Sequence, residues 1–344
     1  MKIAILVSAD MSEDNGITIR AKRINKVLKK NHDVTIISAG KQNFDNLFSM
    51  ILNAIYWNLK LLYQIPREKI DLIYFSSDFL GFFSIFLLSK FMNFKLIFES
   101  HGIFSEENID KNRNNIIVKT CQIIEKFVIK NSDYVIALSV DIYNFYKVYN
   151  KNIDLIPVFI DESIELKEKQ IMHHNFKSIG LIGPFDMPSN KYYLNFLYKN
   201  LDKFNSNLIF VVIGRCSHRI NDKRIKYTGY LKSYQDYISQ VDDLDLVLIP
   251  SKIPTSGPLN KILEAMLCSV PVLTTPAGTS GLDYIQNNEN IFICKENNMV
   301  YQLNKNIFDE DIMKKVGQNG KMMVYSHHSI KVNKEKLYKI IEQF

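Results

Sequence analysis

The sequence predicts an α/β protein with two Rossmann-like, parallel-sheet domains, and three observations support this. Short apolar runs alternate with longer amphipathic stretches along the chain, as strands and helices do in parallel sheets. The 344 residues suit two domains of ordinary size, each able to bury its own core. Hydrophobic residues make up 47% and charged residues 23%, which is typical of folded chains rather than disordered ones.

The first half opens on Ile3 to Ser8, an apolar run of the kind expected for a strand buried on both faces. A polar loop follows, and then a basic helix from about Ile17 to Lys30. No Gly-x-Gly-x-x-Gly occurs at this turn, which argues against a dinucleotide dehydrogenase. Further apolar runs predict strands at 33–38, 71–76, 95–99 and 133–139, with a helix at 115–131.

The second half repeats the alternation after a charged and polar linker at 162–175. A helix at 331–344 closes the chain. The strands that we predict here lie at 177–182, 208–213, 246–250, 270–274 and 291–294.

The run from Pro254 to Met266 is the most informative stretch, because it predicts a polar loop leading into a helix. Thr255 or Ser256 is a suitable N-cap, and Pro258 suits the first helical turn, where a missing N–H has no consequence. Such a helix start favours a bound phosphate, since its backbone N–H groups and dipole both attract an anion.

Lys261 and Glu264 lie three residues apart, so they share a face of this helix. Residue 264 would stand about 9 Å along the axis from residue 258, which is the reach from a diphosphate to the ribose of one nucleotide. The pair therefore predicts a nucleotide-diphosphate clamp. The alternative is an ordinary capped helix with a solvated Lys–Glu pair, and this stretch alone does not choose between the two.

This run resembles the nucleotide-sugar signature of glycosyltransferase family 4, whose members have the GT-B fold. The matching residues are Pro250, Ser251, Gly257, Lys261, Glu264, Ala265, Met266, Pro271 and Val272. The family commonly has two glutamates eight positions apart, but Ser256 stands where the first would be. The chain is more similar to the subgroup with Gly-x-x-x-Lys-x-x-Glu.

The chain differs from the family a second time at Gly183-Pro184-Phe185-Asp186, which lacks the arginine that usually follows this glycine. Lys261 or Arg215 would supply the missing positive charge. The implied donor-binding residues are Gly16, Gly183, Arg215, Ser256, Gly257, Lys261 and Glu264.

His101 is a further candidate, because it stands just past the carboxyl end of a predicted strand, where open α/β sheets bind ligands. In the family a histidine-glycine pair there contacts the donor sugar, so the resemblance implies a catalytic part for His101 together with Lys261. Glu99, two residues earlier, is expected to face the same site. A structural histidine is the alternative.

The resemblance implies an acceptor-side domain at 1–160, a nucleotide-sugar domain at 161–328 and a helix at 329–344 that returns to the first. It further implies a retaining, metal-independent hexosyltransferase that moves sugar from a nucleotide diphosphate to a glycan or lipid-linked glycan, without a cofactor. Two alternatives stay open. One is a nucleotide-sugar epimerase on the same fold, and the other is a non-catalytic binding partner.

Other patterns are less informative. Asp243 and Asp245 precede a predicted strand rather than follow it, so we do not expect a metal site there. The histidine pairs at 173–174 and 327–328 are expected to be exposed. The four cysteines are scattered and predict reduced thiols in a cytoplasmic protein. The net charge of +7 is spread along the chain and does not indicate nucleic acid as a partner.

Two apolar stretches, Phe44 to Tyr63 and Phe79 to Phe94, are too short or too broken for a membrane span. They are either first-domain helices with core faces or an apolar and basic surface that rests on a membrane, where a lipid-linked acceptor would be found. Peripheral association with the inner face of the cell membrane is therefore an open expectation.

Overall fold

A computed structural model gives the fold, and it describes residues 1–12, 15–41, 47–76, 79, 81–106, 115–164, 166, 176–254 and 257–344. These residues form two compact units. Met1–Phe159 and Asn333–Phe344 make the first, and Ile160–Val332 makes the second. Thr255, Ser256, His173, His174 and Phe44, which the sequence analysis used, lie outside the described residues.

The described part of the first unit holds a six-stranded parallel sheet in the order β2-β1-β3-β4-β5-β6. Its strands are β1 (Lys2–Val7), β2 (Asp33–Ser38), β3 (Leu72–Ser76), β4 (Lys95–Ser100), β5 (Tyr134–Ala137) and β6 (Ile153–Leu155). Its helices are α1 (Gly16–Leu28), α2 (Leu47–Gln64), α3 (Phe82–Leu88), α4 (Asn115–Asn131) and α5 (Val140–Tyr146).

The described part of the second unit holds another six-stranded parallel sheet, in the order β12-β11-β10-β7-β8-β9. Its strands are β7 (Lys177–Ile182), β8 (Leu208–Ile213), β9 (Ile225–Gly229), β10 (Leu246–Ile249), β11 (Val272–Thr274) and β12 (Phe292–Ile293). Its helices are α6 (Pro188–Asn200), α7 (Tyr234–Asp242), α8 (Asn260–Leu267), α9 (Met299–Asn306) and α10 (Glu310–His327). Helix α11 (Ile330–Ile341) follows, and its residues from Asn333 belong to the first unit.

Strands β6 and β9 were not predicted from the sequence. Each forms an edge of its sheet and is only partly buried, with exposed Asp154 and Lys226 within the strand. An edge strand has one unpaired side and often carries charge, so it lacks the apolar run by which the central strands were found.

Each sheet has one point at which the strand order reverses. In the first sheet β2 and β3 lie on opposite sides of β1, and in the second β8 and β10 lie on opposite sides of β7. Open α/β sheets bind ligands at such points, outside the carboxyl ends of the strands. The residues that follow β1, β3, β7 and β10 are therefore the first places to look for a site.

Candidate functional site

The carboxyl ends of β7 and β8 are joined through two glycines. The backbone N–H of Gly183 donates to the carbonyl of Ile213 at 3.0 Å. A Cβ on Gly214, whose φ is +122°, would stand 2.2 Å from the carbonyl oxygen of Gly183. Only glycine fits this close approach, so Gly183 lies at a narrow backbone junction beside the switch point.

Helix α8 begins later than the sequence predicted. Its N-cap is Leu259, which makes no side-chain capping hydrogen bond, so the prediction of Thr255 or Ser256 as N-cap was wrong. Pro258 lies before the helix rather than in its first turn, because Leu259 is extended, with φ −78° and ψ 105°. Glu264 is consequently only about 6 Å along the axis from the first helical residue.

The segment before α8 packs against a neighbouring turn. A Cβ on Gly281, where φ is +71°, would stand 2.9 Å from both the carbonyl carbon of Gly257 and the nitrogen of Pro258. The backbone at Gly257 is therefore held in place by the turn that follows β11. Ser256, the preceding donor-binding candidate, lies outside the described residues.

The ammonium of Lys261 is directed at the end of β7. Its Nζ donates to the carbonyl of Ile182 and to Oδ1 of Asn190, each at 2.8 Å, and lies 4.7 Å from the centre of the Tyr193 ring. Burial lowers the pKa of Lys261 to about 7, against a smaller opposing effect of Glu264. Both of these acceptors are neutral, so neither supplies the negative charge that would favour the ammonium form of this half-buried lysine.

Glu264 is buried, with 4% of its surface exposed, and two tyrosines of α7 hold its carboxylate. The hydroxyl of Tyr234 donates to Oε1 at 2.8 Å and that of Tyr237 donates to Oε2 at 2.9 Å. Burial, together with this carboxylate, raises the pKa of Tyr237 well above its usual value, so the tyrosine stays a donor. The alternative of a solvated Lys–Glu pair was therefore wrong.

Arg215 follows β8 and is exposed, with its guanidinium 5.7 Å from the centre of the Tyr230 ring. Its backbone carbonyl accepts from Phe185 at 2.8 Å, which ties it to the turn after Gly183. The structure thus brings Gly183, Arg215 and Lys261 to the carboxyl edge of the second sheet.

In the first unit, Gly16 begins α1 after the turn that follows β1. Its neighbour Asn15 caps the helix, since its Oδ1 accepts from the N–H groups of Ile17 at 3.0 Å and Thr18 at 3.1 Å. Gly16 is exposed at a helix start beside the switch point of the first sheet.

His101 follows β4, and its Nε2 lies 2.9 Å from Oε1 of Glu99 and 3.1 Å from Oγ of Ser76. The expectation that Glu99 faces a ligand was wrong, because its side chain is completely buried and is paired with Arg20. The guanidinium of Arg20 offsets the cost of burying this charge.

Sequence reasoning missed Arg20, Asn190, Tyr234 and Tyr237. Arg20 shares the inward face of α1 with Ile24, Val27 and Leu28 at helical spacing, a pattern that marks it as buried. The two tyrosines are three residues apart and so share a face of α7. Nothing in the sequence marked Asn190 as the partner of a lysine 71 positions later.

Among the described residues, no group of three or more His, Cys, Asp or Glu side chains could hold a metal ion. Asp245 instead accepts hydrogen bonds from the backbone and hydroxyl of Ser178, at 2.7 and 2.8 Å, near the start of β7.

Solved structures of other proteins share this fold. The chain superimposes on sucrose-phosphate synthase from Thermosynechococcus elongatus with a TM-score of 0.81 and 14% identity, covering 100% of this chain and 99% of that one. Anabaena HepE in complex with UDP gives a TM-score of 0.75 at 14% identity, with both chains fully covered. These likenesses show the GT-B fold, as the sequence predicted.

Residues 177–308 match the family model described as glycosyl transferases group 1, and this range lies within the second unit. A relative in Methanocaldococcus jannaschii, the uncharacterized glycosyltransferase MJ1069, is 22% identical over 324 residues, which cover 85% of this chain and 80% of the relative. The chain thus has the GT-B fold, and its residues 177–308 are similar to group 1 glycosyl transferases. Its membership of family 4, and of the Gly-x-x-x-Lys-x-x-Glu subgroup, stays a prediction.

Proposed function

We propose that the protein is a retaining, metal-independent hexosyltransferase that uses a nucleotide-diphosphate sugar. The observation that carries this proposal is the pairing of Lys261 and Glu264 on one turn of α8. One is a cation at the switch point of the second sheet, and the other is a carboxylate fixed by two tyrosine hydroxyls. The two groups suit the diphosphate and the ribose of one nucleotide.

Lys261 would bind the diphosphate. An ammonium has three N–H donors, and the acceptors at Ile182 and Asn190 use two of them, so the third can meet a phosphate oxygen. A phosphate would also supply the negative charge that the two neutral acceptors do not. Gly183, Gly257 and Arg215 would add backbone N–H groups and a second positive charge.

Glu264 would accept hydrogen bonds from the ribose hydroxyls. An ionised carboxylate offers about four lone-pair positions, and the hydroxyls of Tyr234 and Tyr237 orient those of Glu264. The Anabaena relative of the same fold crystallised with UDP-glucose, which supports a nucleotide sugar as the donor here.

The chemical work in this proposal is electrostatic. Departure of the nucleoside diphosphate develops negative charge on the leaving oxygen, and a preorganised cation with backbone N–H groups lowers the energy of that state. His101 would contact the transferred sugar. The acceptor would be a glycan or a lipid-linked glycan, in polysaccharide, lipid or glycoprotein glycan assembly.

A donor screen tests the proposal. The melting temperature is measured with UDP-, GDP- and ADP-sugars, and the donor giving the largest stabilisation is then incubated with the protein, with and without a glycan acceptor. We expect transfer or slow donor hydrolysis, with the anomeric configuration retained. Conversion of the donor into its epimer without an acceptor would instead support an epimerase, and no turnover at all would support a binding protein.

Replacement of Glu264 by glutamine tests the ribose assignment. Glu264→Gln is expected to weaken binding of the selected nucleoside diphosphate by roughly ten- to a hundredfold, because a hydrogen bond to a charged group contributes about 1.5–3 kcal/mol. Titration calorimetry measures this. The matched control is Glu310→Gln, which removes a carboxylate beside Lys177 at the opposite end of β7. Unchanged affinity in Glu264→Gln would remove this residue from the site.

A second feature bears on the acceptor. In residues 51–64 of α2, all of them described, every exposed side chain is a large apolar or aromatic one: Ile51, Leu52, Ile55, Tyr56, Leu59 and Tyr63. On the neighbouring α3, Phe83 and Leu87 are also exposed, and Phe91 just after that helix is 81% exposed. We name these nine residues the α2–α3 apolar face. Exposed apolar side chains gathered on two neighbouring helices are typical of an interaction site.

We propose that the α2–α3 apolar face rests on an anionic membrane. Cations border it. The guanidinium of Arg67 lies 3.4 Å from the centre of the Tyr63 ring, and Lys90, whose ammonium lies 4.4 Å from the centre of the Phe86 ring, directly precedes Phe91. Within the described part of the chain, no helix is long and apolar enough to cross a membrane. Peripheral contact at the inner face of the cell membrane would bring the protein to a lipid-linked acceptor.

Flotation with liposomes of phosphatidylglycerol and phosphatidylcholine checks the membrane proposal. We expect the protein to float at low salt and to float less at high salt, because each basic residue near an anionic surface contributes about 1 kcal/mol. Ile55→Ser with Leu59→Ser should reduce flotation, whereas Met322→Ser, at a 63% exposed position in the second unit, should not. Protein that stays at the bottom at both salt concentrations would contradict the proposal.

A further inference from the structure

The first unit buries an ion pair at the carboxyl edge of its sheet. The carboxylate of Glu99 is fully buried, and its Oε2 accepts from Nε and an Nη of Arg20 at 3.0 and 2.7 Å and from the hydroxyl of Tyr74 at 2.5 Å. Arg20 is 2% exposed, with its guanidinium 4.0 Å from the centre of the Phe159 ring. Burying two charges is costly, and apolar residues of similar volume often stabilise a core as well or better.

The other carboxylate oxygen of Glu99 serves a different purpose. Its Oε1 lies 2.9 Å from Nε2 of His101 and 3.5 Å from the hydroxyl of Ser76. Burial alone would raise the pKa of Glu99, but Arg20 and the hydrogen bond from His101 outweigh it and hold that pKa well below its usual range. Glu99 is therefore ionised and can only accept.

An acceptor at 2.9 Å determines which ring nitrogen of His101 carries hydrogen. Nε2 must be the N–H that donates to Glu99, so in the neutral ring Nδ1 is an acceptor. Carboxylates fix the tautomer of a histidine in the same way in other functional sites. Ser76 adds a second contact to Nε2 at 3.1 Å.

We propose that Glu99 is a positioning residue, which holds His101 in the Nε2–H tautomer so that Nδ1 accepts a hydrogen bond from a hydroxyl of the bound sugar. Arg20 and Tyr74 supply the charge and the hydrogen bond that keep Glu99 ionised in the core. This inference rests on the proposed function for the identity of the ligand, but not for the tautomer.

Glutamine at position 99 gives a sharp test. In Glu99→Gln the amide oxygen pairs with Arg20 and Tyr74, which are both donors, so the amide N–H₂ faces His101. Nε2 must then accept, and the ring shifts to the Nδ1–H tautomer. Long-range ¹⁵N–¹H correlation spectra distinguish the two tautomers, and His101→Asn identifies the resonance. We expect Nε2–H in the unaltered protein and Nδ1–H in Glu99→Gln.

A kinetic experiment tests the same inference, with the donor sugar that the melting-temperature screen selects as substrate. We expect kcat for sugar transfer to fall roughly tenfold or more in Glu99→Gln, the effect of a lost hydrogen bond. The affinity for the nucleoside diphosphate should stay unchanged, because neither Glu99 nor His101 is among its proposed contacts. Glu125→Gln is the matched control. Glu125 is also buried, and its carboxylate accepts hydrogen bonds from the hydroxyls of Ser105 and Tyr146.

Several results would overturn the inference. An Nδ1–H tautomer in the unaltered protein would do so without any variant, which matters if Glu99→Gln folds poorly. An unchanged tautomer in Glu99→Gln, or a switched tautomer with unchanged transfer kinetics, would do so as well. A switch in Glu125→Gln would show a general disturbance instead of positioning by Glu99. Absence of transfer by the unaltered protein counts against the proposed function, while the spectra still decide the tautomer.

Discussion

Replacement of Arg20 by methionine is expected to lower the free energy of unfolding of the first unit by about 3–5 kcal/mol, because it leaves Glu99 charged and unpaired in the core. This is a large part of the stability of an ordinary domain, which is about 5–15 kcal/mol. The single tryptophan, Trp57, is buried in the first unit, so its fluorescence during urea unfolding reports on this unit.

Two further variants distinguish the effect of the unpaired charge on the free energy of unfolding from the effect of altered packing. Arg20→Met with Glu99→Leu should recover much of the lost stability, since no buried charge is then uncompensated. Lys30→Met removes an exposed cation just after α1 and should change the free energy by less than about 0.5 kcal/mol. A loss of under about 1 kcal/mol in Arg20→Met would mean that the pair behaves like a surface salt bridge.

Removal of the Lys261 side chain is expected to weaken nucleoside diphosphate binding by about 2–5 kcal/mol, the effect of deleting one partner of a buried charge pair. Binding of the bare nucleoside should change far less, because the cation would face the phosphates. Calorimetric titration of Lys261→Ala with both ligands measures the difference. Lys305→Ala, at an exposed position on α9, is the control. An equal loss of affinity for both ligands would mean that Lys261 supports the loop rather than binding the phosphates.

The pH dependence gives a second measurement on Lys261. Its pKa is lowered to about 7, so above this pH the unliganded lysine is mostly neutral. A bound diphosphate favours the charged form and raises this pKa, so binding takes up a proton, and affinity falls as pH rises above about 7. The terminal phosphate is already largely ionised there, since a phosphate monoester has its second pKa near 6.

Lys261→Arg should bind without this pH trend, because a guanidinium stays charged throughout the range. Calorimetry in two buffers of different ionisation enthalpy counts the protons taken up. An identical trend in the arginine variant, or no trend in the unaltered protein, would contradict the assignment of the titrating group to Lys261.

The parallel architecture was predictable because central strands such as β1, β4 and β10 are buried on both faces and appear in the sequence as apolar runs. The sequence analysis placed these within one or two residues. The start of α8 was harder to predict, because it depends on packing between Gly281 and the Gly257–Pro258 segment. These residues are distant along the chain. Local rules for N-caps favoured Thr255 and Ser256 and had no means of including that contact.

The candidate site was likewise predicted only in part. Lys261 and Glu264 lie close in sequence and carry a recognisable spacing, so they were found. The groups that set their properties come from other elements, with Asn190 on α6 and the two tyrosines on α7. Likewise, His101 was found from its position after a strand, whereas the burial of Glu99 required a partner 79 residues earlier.

The α2–α3 apolar face also has a consequence for the protein in dilute buffer. A net charge of +7 keeps copies of the chain apart, but only over the Debye length, about 10 Å at 0.1 M salt and 3 Å at 1 M. Added salt therefore removes the repulsion that prevents two such faces from meeting, and sulfate further favours their burial. The ionic strength that releases the protein from a lipid surface is thus the one that brings it into self-association, which leaves an intermediate salt range for keeping it monodisperse.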